Sequence, residues 1–150
     1  MSVALWPALI FFLHDTNNIG GVLHMYQSSF NIFDSTFTTN WKSFVGGVIV
    51  SIRSSFNIAN SSFTNNGALL VSGLSGVVNA HVSSFSITCS TFTNNSAVES
   101  GGVICTIGSS FNITNSTFTS NSAVGYSYAD GYGYGGVIKT KSSILIQCHE

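Results

Sequence analysis

Charge is what this sequence has least of. Four Lys/Arg and five Asp/Glu stand among 150 residues, 6% of the chain, against roughly a quarter in an ordinary soluble domain. Four scattered cations cannot make the basic face that neutralises phosphates, so no nucleic-acid partner is expected. Proline is nearly absent too, with Pro7 the single one. Long hydrophobic runs are missing: the longest, Val3–Leu13, has eleven residues and is broken by Pro7, whereas a membrane-spanning helix takes about 20. Despite 44% apolar residues, no transmembrane helix is expected. Cysteine occurs only as Cys89, Cys105 and Cys148, an odd count with no metal-ligand spacing, so free small hydrophobes are the favoured reading.

What the chain has instead is repetition. Ser, Thr and Asn together number 53, and they fall in register. A small-Gly-Val-aliphatic block recurs at 20–23, 46–49, 75–78, 101–104 and 135–138, with its second residue spaced by 26, 29, 26 and 34. Nine residues after that position come Phe30, Phe56, Phe85 and Phe111, each preceded by Ser-Ser; the fifth copy offers Ile144, one residue early. Seven residues further stand Phe37, Phe63, Phe92 and Phe118, each opening a Phe-x-x-Asn block that ends at Asn40, Asn66, Asn95 or Asn121. Length variation is confined between that block and the next Gly pair.

Within each unit apolar and polar residues alternate, as in Ser55-Phe56-Asn57-Ile58-Ala59, which is the pattern of a half-buried strand. Asp34, Asn60, Cys89 and Asn115 share one column and suit a tight corner, since Asn and Asp tolerate the left-handed region. The Gly pair suits another, where no Cβ obstructs the bend. The lack of proline inside the array fits strands paired on both sides.

Three short strands per unit of about 26 residues describe a coil of a parallel β-helix, roughly five coils in all. Coils stack at about 4.8 Å. The two Phe ladders, and a third of Leu23, Ile49, Val78, Ile104 and Ile138, are expected to point inward. Exterior columns and corners then take Ser, Thr and Asn, and like charges stacked in one column would repel. An antiparallel sandwich is the structural alternative, but it would not ordinarily keep such constant offsets. Residues 1–19 read as a degenerate first coil or cap rather than a signal-like segment: Phe11 lies ten residues before Gly21, as Phe37 lies before Gly47. Residues 20–150 form the array, expected to belong to a longer one because capping units are needed at its ends.

Gly-Gly-Val-Ile at 46–49, 101–104 and 135–138, alternating with Phe-x-x-Asn at 37–40, 63–66, 92–95 and 118–121, resembles the repeats of the chlamydial-type polymorphic outer-membrane proteins. The resemblance covers about residues 20–150. It implies a right-handed parallel β-helix and a surface-exposed or secreted passenger involved in adhesion. Val stands where that family has Ala, and the third block is Ser-Gly-Val-Val.

Other occupants of this fold are polysaccharide lyases and hydrolases, which need clustered carboxylates. Asp15, Asp34, Glu99, Asp130 and Glu150 share no face in adjacent coils by register, and Arg53 has no acid near it. His14, His24, His81 and His149 form no metal-like group. No catalytic residue, metal or cofactor is therefore expected. Two features are candidates for contact with a cell-surface protein or glycan. One is the Gly/Tyr loop 125–134, with Tyr126, Tyr128, Asp130, Tyr132 and Tyr134; flat aromatics there can stack on a sugar or enter a partner surface. The other is a pair of outward columns, Thr36, Ser62, Thr91, Thr117 and Thr38, Thr64, Thr93, Thr119. Asn60, Asn94, Asn112 and Asn115 open Asn-x-Ser/Thr sequons at expected corners and loops.

The function expected is a non-enzymatic segment, extracellular or displayed on a cell surface or outer membrane, acting as an adhesin-like or structural stalk. The alternatives are a pectate-lyase-like enzyme with its site outside this segment, and an ice-binding β-helix using the outward Thr columns.

Overall fold

The computed structural model describes residues 2–3, 9–11, 14–16, 22–42, 47–68, 74–98, 100–123, 136–141 and 148–149. Alternating sequence becomes strand throughout, and every strand pairs in parallel with its equivalent in the next coil. The first face comprises Ser2–Val3, Leu23–Tyr26, Ile49–Ile52, Val78–His81, Ile104–Ile107 and Ile138–Lys141. The second comprises Leu9–Phe11, Ser29–Phe33, Ser55–Ala59, Ser84–Thr88, Ser110–Thr114 and Cys148–His149. The third is His14–Thr16, Thr36–Thr38, Ser62–Thr64, Thr91–Thr93 and Thr117–Thr119.

A fourth face, absent from the three-strand expectation, is made of two-residue strands: Trp41–Lys42, Gly67–Ala68, Ser96–Ala97 and Ser122–Ala123. Two residues carry no legible alternation, which is why the sequence hid them. Four coils therefore hold all four strands, with a partial coil on either side, slightly different from the roughly five expected. The architecture is an all-β parallel solenoid, with no helix among the described residues.

The three inward ladders are where the offsets put them. Phe30, Phe37, Phe56, Phe63, Phe92, Ile49, Val78 and Ile104 are essentially sealed from solvent. Ring planes in the first Phe ladder lie 6–7° apart at centroid distances of 4.7–5.0 Å. In the second they lie 2–9° apart at 4.8–4.9 Å. This is offset stacking imposed by the coil rise, and it adds to the area each ring buries. A fourth inward ladder, Ile32, Ile58, Ile87 and Ile113, is equally buried. Ile144 lies outside the described residues; the last second-face strand pairs Cys148 with Ile113.

Three corners per coil use the left-handed backbone. Asp34, Asn60, Cys89 and Asn115 have φ of 47–51°, as their column suggested. Thr39, Asn65, Asn94 and Ser120 form a second such corner at 54–59°. Gln27, Arg53, Val82 and Gly108 form a third at 47–59°.

The residue after each corner overturns the expectation that Ser and Asn belong outside. Ser54, Ser83, Ser109, Ser35, Ser61, Ser90, Asn40, Asn66 and Asn95 are buried. They are there because a corner leaves a backbone N–H without a ladder partner, and a buried donor must be paired. Ser28 N–H donates to Ser54 Oγ at 3.0 Å, and Ser54 Oγ donates to the Ile52 carbonyl at 2.9 Å. The Ser35–Ser61–Ser90–Ser116 column repeats the arrangement. In the Asn column, Nδ2 of Asn66 reaches the Phe37 carbonyl at 3.0 Å and Asn95 Oδ1 at 3.1 Å. These corner Ser and Asn side chains thus line part of the interior, each bonded to the coil beside it, whereas Ser75 Oγ, Asn79 Nδ2 and Thr106 Oγ1 are buried without a hydrogen-bond partner.

The chain bends at the Gly pair, and what forbids a side chain there is the next coil rather than φ. A Cβ on Gly47 would lie 2.0 Å from the Gly76 carbonyl oxygen, and one on Gly76 2.0 Å from that of Gly102.

The first coil corrects one register. Phe11 pairs with Ile32, not with the Phe37 column, and Asp15 takes the position opposite Phe37. Counting back from Gly21 misleads because the loop before the Gly pair is shorter there: five residues from Thr16 to Gly21 against nine from Thr38 to Gly47.

Candidate functional site

The two outward columns of the third face stand as the alternation requires. Phe37, Phe63 and Phe92 turn inward, so Thr36, Ser62, Thr91 and Thr117 turn out on one side, and Thr38, Thr64, Thr93 and Thr119 on the other. Thr91, Thr117 and Thr119 are exposed and the rest half-buried. The result is two parallel rows of hydroxyls and methyls at the coil rise. The Gly/Tyr loop, with Tyr126, Tyr128, Asp130, Tyr132 and Tyr134, lies outside the described residues.

Ionisable groups are dispersed. Asp34 is exposed at its corner. His24 and His81 are both exposed, two coils and two columns apart. No group of three metal-ligating side chains occurs among the described residues. Cys89 is free and exposed at a corner with φ 49°, as its column suggested, whereas Cys105 is free and buried. Burial pushes the Cys105 thiol above its ordinary pKa, while Lys139 and a hydrogen bond with Ser100 pull the other way. The four sequon asparagines are exposed. Asn60, Asn94 and Asn115 sit at corners, but Asn112 lies within the strand Ser110–Thr114, facing outward because Phe111 and Ile113 face in.

A further surface was not legible in advance. An open groove of about 720 Å³ runs along the corner between the first and second faces, over positions 27–29, 53–55, 82–84 and 108–110. In each triplet the middle Ser is spent on the backbone ladder. The last one, Ser29, Ser55, Ser84 or Ser110, is exposed. Arg53 and Val82 stand on the corner itself. Beside it runs an outward column of Tyr26, Ile52, His81 and Ile107. Tyr26, Val82 and Ile107 are the large exposed hydrophobics among the described residues, and all three border this corner. The signal in the sequence was the recurrent Ser-Ser before each Phe; the corner residue preceding it, Gln, Arg, Val or Gly, has no common chemistry to mark it.

Against known families, the Phe-x-x-Asn to Gly-Gly-Val-Ile passage decides the comparison. Residues 90–107 match the Chlamydia polymorphic membrane protein repeat. The matched stretch runs from the buried Ser90, through Phe92 and the Asn95 ladder, past Gly101-Gly102 and into the first-face strand Ile104–Ile107. The match thus spans one passage, from the third face of one coil to the first face of the next. Neither a curated protein nor a solved structure matches the chain. No described helix is long and apolar enough to cross a membrane, which does not bear on a β-barrel.

Proposed function

We propose that this chain is a non-enzymatic, surface-exposed or secreted β-helix segment that works as an adhesin-like stalk, on a cell surface or outer membrane. The observation that carries this reading is the polymorphic membrane protein repeat at 90–107 set in a column whose coils stack through sealed Phe ladders. Its mechanism is presentation. A rigid column holds rows of Ser and Thr hydroxyls toward a protein or glycan of another surface. Neutral side chains suit that task, because stacked columns of charge would repel one another.

The test is attachment of chain-coated beads to cultured cells, against beads coated with an unrelated β-helix of similar size. Attachment above that comparator, competed by soluble chain, supports the stalk as an adhesin; attachment no greater than the comparator contradicts it. The in-register outward Thr rows also favour ice binding as a second reading. Thermal hysteresis of the purified chain at millimolar concentration tests it, and no hysteresis removes it.

A further inference from the structure

Val82 is held at φ 51° and is 53% exposed. Neither the corner's backbone angle nor its exposure favours Val at this position. A β-branched residue in the left-handed region is a genuine outlier, and an exposed isopropyl group gains nothing from burial. Glycine meets the same backbone need one coil on, at Gly108, φ +59°, and Asn meets it at four positions elsewhere, Asn60, Asn65, Asn94 and Asn115. Strain kept at an exposed position points to a contact outside the chain.

Other features converge on the same corner. Tyr26 and Ile107 expose 52% and 37% of their surface in the column beside it. Arg53, the chain's single Arg, lines the groove, and no carboxylate lines it. Among the described residues Asp34 is the acid with a placed side chain, and it lies at a different corner. Ser55, Ser84 and Ser110 present exposed hydroxyls coil after coil, with Ser110 Oγ 3.3 Å from Ser84 Oγ.

We propose that this corner is a binding groove for an acidic polysaccharide strand lying along the axis of the column. The proposal rests on the adhesin-like reading and names its ligand class. The serine hydroxyls donate to and accept from sugar hydroxyls at the coil rise, which is comparable to the advance of one residue in an extended hexose chain. Tyr26, Val82 and Ile107 cover the apolar faces of the sugar rings. Arg53 pairs with a uronate carboxylate, for which the guanidinium fork is suited. A peptide added as an extra strand does not fit, because it needs free backbone donors. Here the N–H groups of Gln27, Arg53 and Val82 already bond Ile52, His81 and Ile107 carbonyls at 2.8–2.9 Å.

The experiment is calorimetric titration of the full chain with oligogalacturonate, and with a neutral cello-oligosaccharide of equal length. Oligogalacturonate is expected to bind, and the neutral chain to bind at least roughly tenfold more weakly, the scale of a charge-assisted hydrogen bond. Arg53→Gln loses roughly tenfold or more of the oligogalacturonate affinity. Val82→Asn raises Tm while weakening binding, a combination that a purely structural Val82 would not give. Asp34→Asn, at another corner, changes neither. Circular dichroism of each variant establishes that the fold is kept. Absence of oligogalacturonate binding, or binding undiminished in Arg53→Gln and Val82→Asn, overturns the proposal.

Bead attachment separates this from the broader reading. If wild-type beads attach and both groove variants attach equally well, the groove is overturned and the adhesin reading stands. If wild-type beads do not attach, the adhesin reading fails, and the titration decides the groove alone. If attachment needs Arg53 but survives enzymatic removal of acidic glycans from the cells, the groove takes a protein, and the polysaccharide assignment is overturned.

Discussion

The side-chain oxygen of Asn66 accepts two hydrogen bonds from Asn40, one from its backbone N–H at 3.0 Å and one from its Nδ2 at 3.1 Å. Asn66 in turn donates its own Nδ2 to the Phe37 carbonyl and to Asn95. One buried amide thus joins its own coil to both neighbours. Removing it in Asn66→Ala leaves the Asn40 N–H without its acceptor in a site sealed from water and takes one donor each from the Phe37 carbonyl and Asn95 Oδ1. A buried orphan costs about 1–3 kcal/mol, so a loss of that order is expected in urea unfolding. Asn66→Asp retains the acceptor but buries a charge and removes the donor, and is expected to be at least as damaging at neutral pH.

Two glycines are expected to respond very differently to alanine. In Gly76→Ala the new Cβ meets the Gly102 carbonyl oxygen at 2.0 Å and the Ser96 backbone at 2.9–3.0 Å. Backbone cannot swing aside, so adjacent coils must part, at about 3 kcal/mol or more. In Gly108→Ala the nearest atom is Val82 Cγ2 at 3.9 Å, and only the left-handed φ is unfavourable, at about 1–2 kcal/mol. Denaturant midpoints of the two variants check the order; equal losses would mean that the coils are not in contact at the Gly column.

The Phe ladder should weaken toward its last described rung. Phe63 is sealed between Phe37 and Phe92, so Phe63→Ala is expected to cost about 3–5 kcal/mol. Phe118 is half-buried and stacks on Phe92, so Phe118→Ala should cost clearly less. Thermal or urea unfolding of both variants measures the difference.

Cysteine reactivity should divide by position. Cys89 is exposed and Cys105 buried, so in the native chain a maleimide mapped by peptide mass spectrometry modifies Cys89 well before Cys105. Only the thiolate reacts, and burial raises the Cys105 pKa above its unfolded value. The sign for stability follows: a neutral buried thiol supports the fold below the unfolded value, about 8.5, and that support is lost as pH climbs from there to the raised folded value. Wild type should therefore lose Tm relative to Cys105→Ala through mildly alkaline pH; parallel curves would contradict the burial.

Much of this was legible in the residues. The nine- and seven-residue offsets placed Phe30 to Phe111 and Phe37 to Phe118 in stacked ladders, and alternation then turned Thr36 and Thr38 outward. Asn66 was visible as a repeated residue, but its burial was not. Polarity argues for the surface until the orphaned N–H beyond a corner is counted, and that donor exists only once coils are stacked. The groove was hidden for a different reason. Its corner is defined by a backbone angle shared by Gln27, Arg53, Val82 and Gly108, and no side-chain rule links those four. Phe11 was misplaced because loop length, the part of the repeat that varies, lies between it and Gly21.

Every surface described depends on parallel coils in register, and engineered cross-links test that most directly. In a chain with Cys89, Cys105 and Cys148 replaced by serine or alanine, Thr91→Cys with Thr117→Cys joins direct register partners, within the roughly 4.4–6.8 Å between Cα atoms that a disulfide accepts. Thr36→Cys with Thr91→Cys pairs residues that both flank Ser62, two coils apart and beyond that reach. Under mild oxidation the first pair should close quantitatively and the second should not. Failure of the first, or equal closure of both, would contradict the stacked column.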